Sequence, residues 1–199
     1  MQLPNGIRHL PGYLDRPAQE ALFEAIRAVV ADAPLFTPVM PGTGKEMSVR
    51  MTNCGSLGWV TDKQRGYRYQ PTHPVTGRPW PAMPKQLLDF WRDIAGYEKP
   101  PEACLVNFYG DDARMGLHQD RDEQDLNAPV LSVSLGNTCL FRVAIFQACE
   151  RRNPRSRRRG QAVLPWRRPH LSDNFDIAEE RRADQSDPPA CPALILRAF

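Results

Sequence analysis

A chain of 199 residues is long enough for one domain with a substantial buried core and too short for two comfortable ones. Its net charge of +3 suits a nucleic-acid partner without identifying one, because much of the positive charge is gathered near the C-terminus. No run is apolar enough to span a bilayer, and MQLPNGIRHLPG lacks the basic-then-apolar order of a signal peptide, so a cytoplasmic protein with no membrane role is expected. Five cysteines (Cys54, Cys104, Cys139, Cys149 and Cys191) share no CxxC spacing and predict buried thiols in place of a disulfide framework or zinc site.

In chain order, Asp15 can cap a helix that Pro17 helps to start, with Leu22, Ile26, Val29 and Val30 on one face. Residues 36–82 are rich in Pro, Gly, Thr and aromatics with no sustained period, which predicts strands and loops with exposed rings. A second helix follows Pro84, with Leu87, Leu88, Trp91 and Ile94 inward and Gly96 as its stop. ACLVNFY at 103–109, PVLSVSL at 129–135 and CLFRVA at 139–144 read as strands, and Gly136-Asn137 is a hairpin signal between the last two. Two helices followed by strands predict an α+β fold with a β-sandwich or jelly roll.

The chemistry gathers around LHQDRDE at 117–123. In an extended segment His118 and Asp120 share a face and Gln119 points the other way. Imidazole and carboxylate can then meet one ion, and a distant histidine would complete a facial triad on Fe(II); a hydrolytic zinc site and a solvated charge cluster are the alternatives.

NFYGDDARMGLHQDRDE, preceded by MTNCGSLGW and PWPAMP and followed by APVLSVSLGNTCLFRV, resembles the AlkB family of iron and 2-oxoglutarate-dependent nucleic-acid dealkylases from about residue 10 to Val143. The resemblance implies a double-stranded β-helix (jelly roll) flanked by N-terminal helices, acting as a monomer. It implies Fe(II) on His118 and Asp120, and 2-oxoglutarate, with O2 as the other co-substrate, contacted by Asn107 and Tyr109. The reaction implied is oxidative demethylation of 1-methyladenine and 3-methylcytosine in DNA, with release of formaldehyde and with RNA as an alternative substrate. Met51, Trp59 and Tyr67 match the family's base pocket, and Asp122 its carboxylate for the exocyclic amine. A methyl on a base edge is reached only by flipping the base, and a flipped base favours aromatic stacking and a polar edge partner.

After Val143 the family pattern requires a second metal histidine followed by glycine, then a strand of the form NGGRINLTLRR whose first arginine holds 2-oxoglutarate. Neither is present. Both appear when the segment is read one frame over, taking the last two bases of each codon with the first of the next. Glu180–Cys191, ERRADQSDPPAC, then permits NGGRINLTLRR in order, and the Pro165–Trp166 and Trp166–Arg167 junctions permit His-Gly. We infer a frameshift between about Val143 and Glu150, with a divergent basic tail as the alternative; it divides the chain into an incomplete dioxygenase domain at 1–143 and an out-of-frame basic tail at 144–199.

On this reading His170 is a poor third ligand and the tail arginines are not 2-oxoglutarate anchors. The chain as written is expected to lose the last jelly-roll strands, to leave strands 129–135 and 139–144 with open edges, and to bind iron weakly. A catalytically inactive remnant that at most binds nucleic acid is the alternative function.

Overall fold

The computed structural model describes residues 8–110, 113–116, 125, 128–136, 140–145, 160–163, 179–180 and 191–197. Helix α1 spans Arg16–Asp32. The Asp15 carboxylate accepts the Ala18 N–H at 2.9 Å, satisfying one of the first-turn donors that a helix leaves unpaired. Leu22, Ile26 and Val29 are buried along one stripe, as the 3.6-residue period requires.

Helix α2, Lys85–Phe90, continues into a single π-helical turn at Trp91–Ala95, which Gly96 closes with φ of 61°. Leu87 and Trp91 face the core and Ile94 packs against it. Leu88, expected inward, is 38% exposed. The buried stripe is centred on the i, i+4 pair Leu87 and Trp91, so the next residue along falls on its flank.

The strands among the described residues are β1 (Arg50–Gly55), β2 (Gly58–Asp62), β3 (Gly66–Gln70), β4 (Ala103–Tyr109), β5 (Leu131–Ser134), β6 (Leu140–Ile145), β7 (Gly160–Val163), β8 (Glu179–Glu180) and β9 (Cys191–Arg197). They form a four-stranded sheet in the order β1-β4-β9-β5, a β2-β3 hairpin, and a three-stranded sheet β7-β6-β8.

The pairing of β1 with β4 sets Cys54 opposite Cys104 and Thr52 opposite Val106. Cys54, Cys104, Val106, Leu131 and Val133 share one core with Leu22, Ile26, Val29, Leu87 and Trp91, so this face of the sheet is roofed by the helices. Cys54 and Cys104 are both buried, as expected of thiols outside a disulfide framework. Alternation then assigns Met51, Asn53, Leu105, Asn107, Tyr109, Ser132 and Ser134 to the face turned away from the helices.

The expected hairpin is corrected by the pairing. Gly136 does turn, with φ of 96°, but β5 and β6 do not form a hairpin: β5 pairs with β9, and β6 with β7 and β8. A Gly-Asn step gives the chain a sharp turn without deciding which sheet it enters next. The segment after Val143, where the family's last strands are expected to be lost, contains β7, β8 and β9, and β9 lies between β4 and β5. The edge of β5 that faces β9 is therefore paired. Strand pairing uses backbone groups that every non-proline residue carries, so a run such as Ala193–Leu196 can pair with β4 and β5 whatever its frame of origin.

Candidate active site

The sheet face away from the helices carries the first group of candidate residues. Met51 stands directly opposite Asn107 across β1 and β4. Both are buried, at 1% and 0% exposure, and Tyr109 is buried two positions further along the strand. The other side of β1 is closed by Phe36, which exchanges two backbone hydrogen bonds with Met51 at 2.8 and 2.9 Å.

The Asn107 amide finds no hydrogen-bond partner among the described residues at either its Nδ2 or its Oδ1. An amide offers two N–H donors and a carbonyl acceptor, and leaving such a group buried and unpaired costs about 1–3 kcal/mol. Burial with free N–H donors fits a carboxylate-bearing ligand, which would take up the donors.

The chain that leads toward His118 is anchored beside this pair. The Ser48 hydroxyl donates to the Arg114 carbonyl at 2.9 Å, and the Arg114 N–H donates back to the same hydroxyl at 3.0 Å. Tyr109 packs with Val49, Ala113 and Met115, its hydroxyl 3.9 Å from the Met115 sulfur. Further along, the Tyr97 hydroxyl donates to Asp125 at 2.5 Å, a bond that pushes its pKa above the usual phenol value. His118, Asp120 and Asp122 lie outside the described residues, between these two anchors in the sequence.

Trp59 and Tyr67 are brought together on the β2-β3 hairpin. Their rings stack with centroids 5.4 Å apart and planes 23° from parallel, and Tyr67 is 44% exposed. The two residues occupy one face of the hairpin because Tyr67 pairs with Thr61 and Tyr69 with Trp59. The opposite face buries Val60 against Ala33, Phe36 and Trp80. Gly58 allows this approach, since a Cβ there would lie 2.4 Å from Trp80 Cε2.

The hairpin turn is held by Asp62, a residue the sequence reading did not single out. Its Oδ1 accepts the backbone N–H groups of Gln64 at 3.0 Å and Arg65 at 2.7 Å, and its Oδ2 meets Arg65 at 3.0 Å and Arg68 at 2.8 Å. The Arg65 backbone bond, then the two guanidinium groups, outweigh an opposing desolvation and lower the carboxyl from 3.8 to about 2. A depressed carboxylate contributes stability above its unfolded pKa and loses it as pH falls through the folded value. The hairpin is therefore expected to loosen between about pH 4 and pH 2, with D62N loosened at neutral pH as well; near-ultraviolet circular dichroism of the Trp59–Tyr67 pair measures both.

Of the chain's histidines, His73 is excluded as a metal ligand. Its Nδ1 accepts the N–H groups of Val75 and Thr76 at 3.1 and 3.2 Å, so its Nε2 carries the proton donated to the Pro34 carbonyl at 2.7 Å. No cluster of three potential metal ligands occurs among the described residues, and His170 also lies outside them.

A family model described as the 2OG-Fe(II) oxygenase superfamily matches residues 6–174. The chain belongs to that superfamily. Within it, the resemblance to AlkB proteins is borne out by relatives. The chain is 58% identical over 133 residues to the alpha-ketoglutarate-dependent dioxygenase AlkB homolog of Caulobacter vibrioides, covering 67% of this chain and 60% of the relative. It is 45% identical over 144 residues to the alpha-ketoglutarate-dependent dioxygenase AlkB of Escherichia coli, covering 70% of this chain and 64% of that protein. These matches thus span less than two thirds of either relative's length. The solved structure of OsALKBH1 superposes with a TM-score of 0.66 at 21% identity over the full length of both chains. The architecture is that of the 2OG-Fe(II) oxygenase fold, a jelly roll, here with α1 and α2 over one sheet.

Proposed function

We propose that the protein is of the AlkB type by descent: an Fe(II) and 2-oxoglutarate-dependent dioxygenase that demethylates N-alkylated bases, 1-methyladenine and 3-methylcytosine, in DNA. The observation that carries this reading is the buried Asn107 amide, which has no hydrogen-bond partner among the described residues, opposite Met51 and on the same strand face as Tyr109. Asn107 and Tyr109 would hold 2-oxoglutarate, and His118 and Asp120 would supply the imidazole and carboxylate ligands to iron. When bound, the iron and its co-substrates supply the oxidising chemistry that turns an N-methyl group into one released as formaldehyde.

The chain's own residues bind and orient. The Asn107 N–H groups donate to a carboxylate and fix its direction. Trp59 and Tyr67 present an exposed stacked edge on which a flipped base can rest, and stacking of this kind is worth about 1–3 kcal/mol per base. Asp122 supplies the acceptor for an exocyclic amine and a charge that favours a cationic methylated base.

The test is the affinity for 2-oxoglutarate, measured by anaerobic calorimetry on the frame-restored chain and its N107A variant. A hydrogen bond to a charged group contributes about 1.5–3 kcal/mol, so N107A is expected to weaken binding by roughly 10- to 150-fold. Unchanged affinity in a folded N107A protein would remove the observation on which the reading stands. A second reading, a remnant that binds nucleic acid without turnover, is favoured by the missing His-Gly and NGGRINLTLRR segments. It predicts salt-dependent binding of single strands with no consumption of 2-oxoglutarate.

A further inference from the structure

The hairpin that presents Trp59 and Tyr67 pairs only within itself among the described residues. One of its links to the main sheet is a side chain. Asn53, fully buried on β1, donates from Nδ2 to the Trp59 carbonyl at 3.0 Å, and its Oδ1 accepts the Trp59 N–H at 3.1 Å. Both halves of the amide are used, and both grip the backbone of one residue. This copies the paired N–H and C=O bonds of an antiparallel ladder, with a side chain in place of the second strand. Asn53 is also two positions from Met51 on the same face of β1, so the clamp joins the sheet face that carries Asn107 to the stacked rings.

We propose that Asn53 is a positioning residue for the aromatic pair: it sets where the Trp59 ring stands relative to the Met51–Asn107 face, and so where a stacked base is held. The inference rests on the reading of Trp59 and Tyr67 as the base-stacking surface. The chemistry of the clamp is specific. Alanine removes both bonds, whereas aspartate keeps the acceptor for the Trp59 N–H and sets a carboxylate against the Trp59 carbonyl. A protonated aspartate regains a donor in the shape of the amide, so N53D is expected to recover at mildly acidic pH while N53A does not.

The experiment uses the full chain as written, with a fluorescent single-stranded oligonucleotide containing 1-methyladenine as the probe. Anisotropy gives affinity for the parent, W59A and N53A proteins, and near-ultraviolet circular dichroism and melting are recorded alongside. W59A is expected to weaken binding roughly tenfold, within the range for losing one stacked base. N53A is expected to approach the same loss, with the Trp59–Tyr67 dichroic signal altered and melting shifted by only a few degrees, about what two net hydrogen bonds give. Weak binding by W59A with parental affinity and dichroism in N53A would overturn the clamp and leave the base-stacking reading intact. Parental binding by W59A would overturn the base-stacking reading, and the dichroism of N53A then decides the clamp alone. Should N53A not fold, N53D takes its place: recovery of the aromatic signal between pH 7 and about pH 5.5 supports the clamp, and a pH-independent parental signal overturns it.

Discussion

Restoring the reading frame between about Val143 and Glu150 is expected to raise Fe(II)-dependent turnover of 2-oxoglutarate by more than about a hundredfold. Loss of a partner that merely orients a metal ligand costs about 10- to 100-fold in metal affinity or activity, and the chain as written lacks the His-Gly motif itself and the arginine strand. The structure adds a physical constraint. A single antiparallel slot lies between β4 and β5, with its occupant's Ala193 opposite both Asn107 and Ser134. In the written frame CPALILR fills that slot and brings backbone pairing, with Ala193 opposite Asn107 and no arginine among the six residues of the strand before Arg197. The restored frame offers NGGRINLTLRR, whose alternation of apolar and polar residues suits a strand with one face on the helical core and the other toward Asn107. Succinate formation by the two purified chains, with and without a methylated oligonucleotide, measures the difference. Equal, robust turnover by both would sink the frameshift account, and resequencing codons 140–155 from the source DNA tests it independently.

Replacing Trp80 with alanine is expected to destabilise the protein by about 3–5 kcal/mol, the usual cost of deleting a large buried aromatic. Trp80 is 6% exposed and lies among Ala33, Phe36 and Val60. Its Nε1 donates to the Gln70 carbonyl at 2.8 Å, and its ring is 5.2 Å from His73 and 6.4 Å from Phe36. Gly58 packs directly on it. The indole thus holds the start of β2 and the end of β3 at once, and its removal opens a cavity under the hairpin. For a domain of this size the loss corresponds to a melting temperature lower by roughly 6–20 °C. W80F keeps most of the packing and loses the Gln70 bond, for a smaller cost near 1 kcal/mol. A W80A protein within about 1 kcal/mol of the parent by denaturant unfolding would show that the hairpin is held elsewhere.

The sequence alone determined the local elements and the family. Asp15 and Pro17 announced α1, Gly96 ended the second helical segment, and ACLVNFY became β4, because caps, breakers and apolar runs act over a few residues. MTNCGSLGW and NFYGDDARMGLHQDRDE carry the AlkB resemblance, and with it the candidate roles of Asn107, Tyr109, Met51, Trp59 and Tyr67. What only the tertiary structure decided is how distant groups meet. The amide of Asn53 is one more polar residue in a strand until β2 folds back to offer the Trp59 backbone, and only the fold sets backbone groups at both nitrogens of His73. Likewise Gly136-Asn137 predicted a hairpin, but whether the chain pairs with its neighbour or crosses to another sheet depends on burial of the whole strand face. Hydrogen-bond saturation and sheet membership are long-range quantities: they are fixed by which backbone groups remain unpaired once the core has formed, and no short window of sequence contains that information.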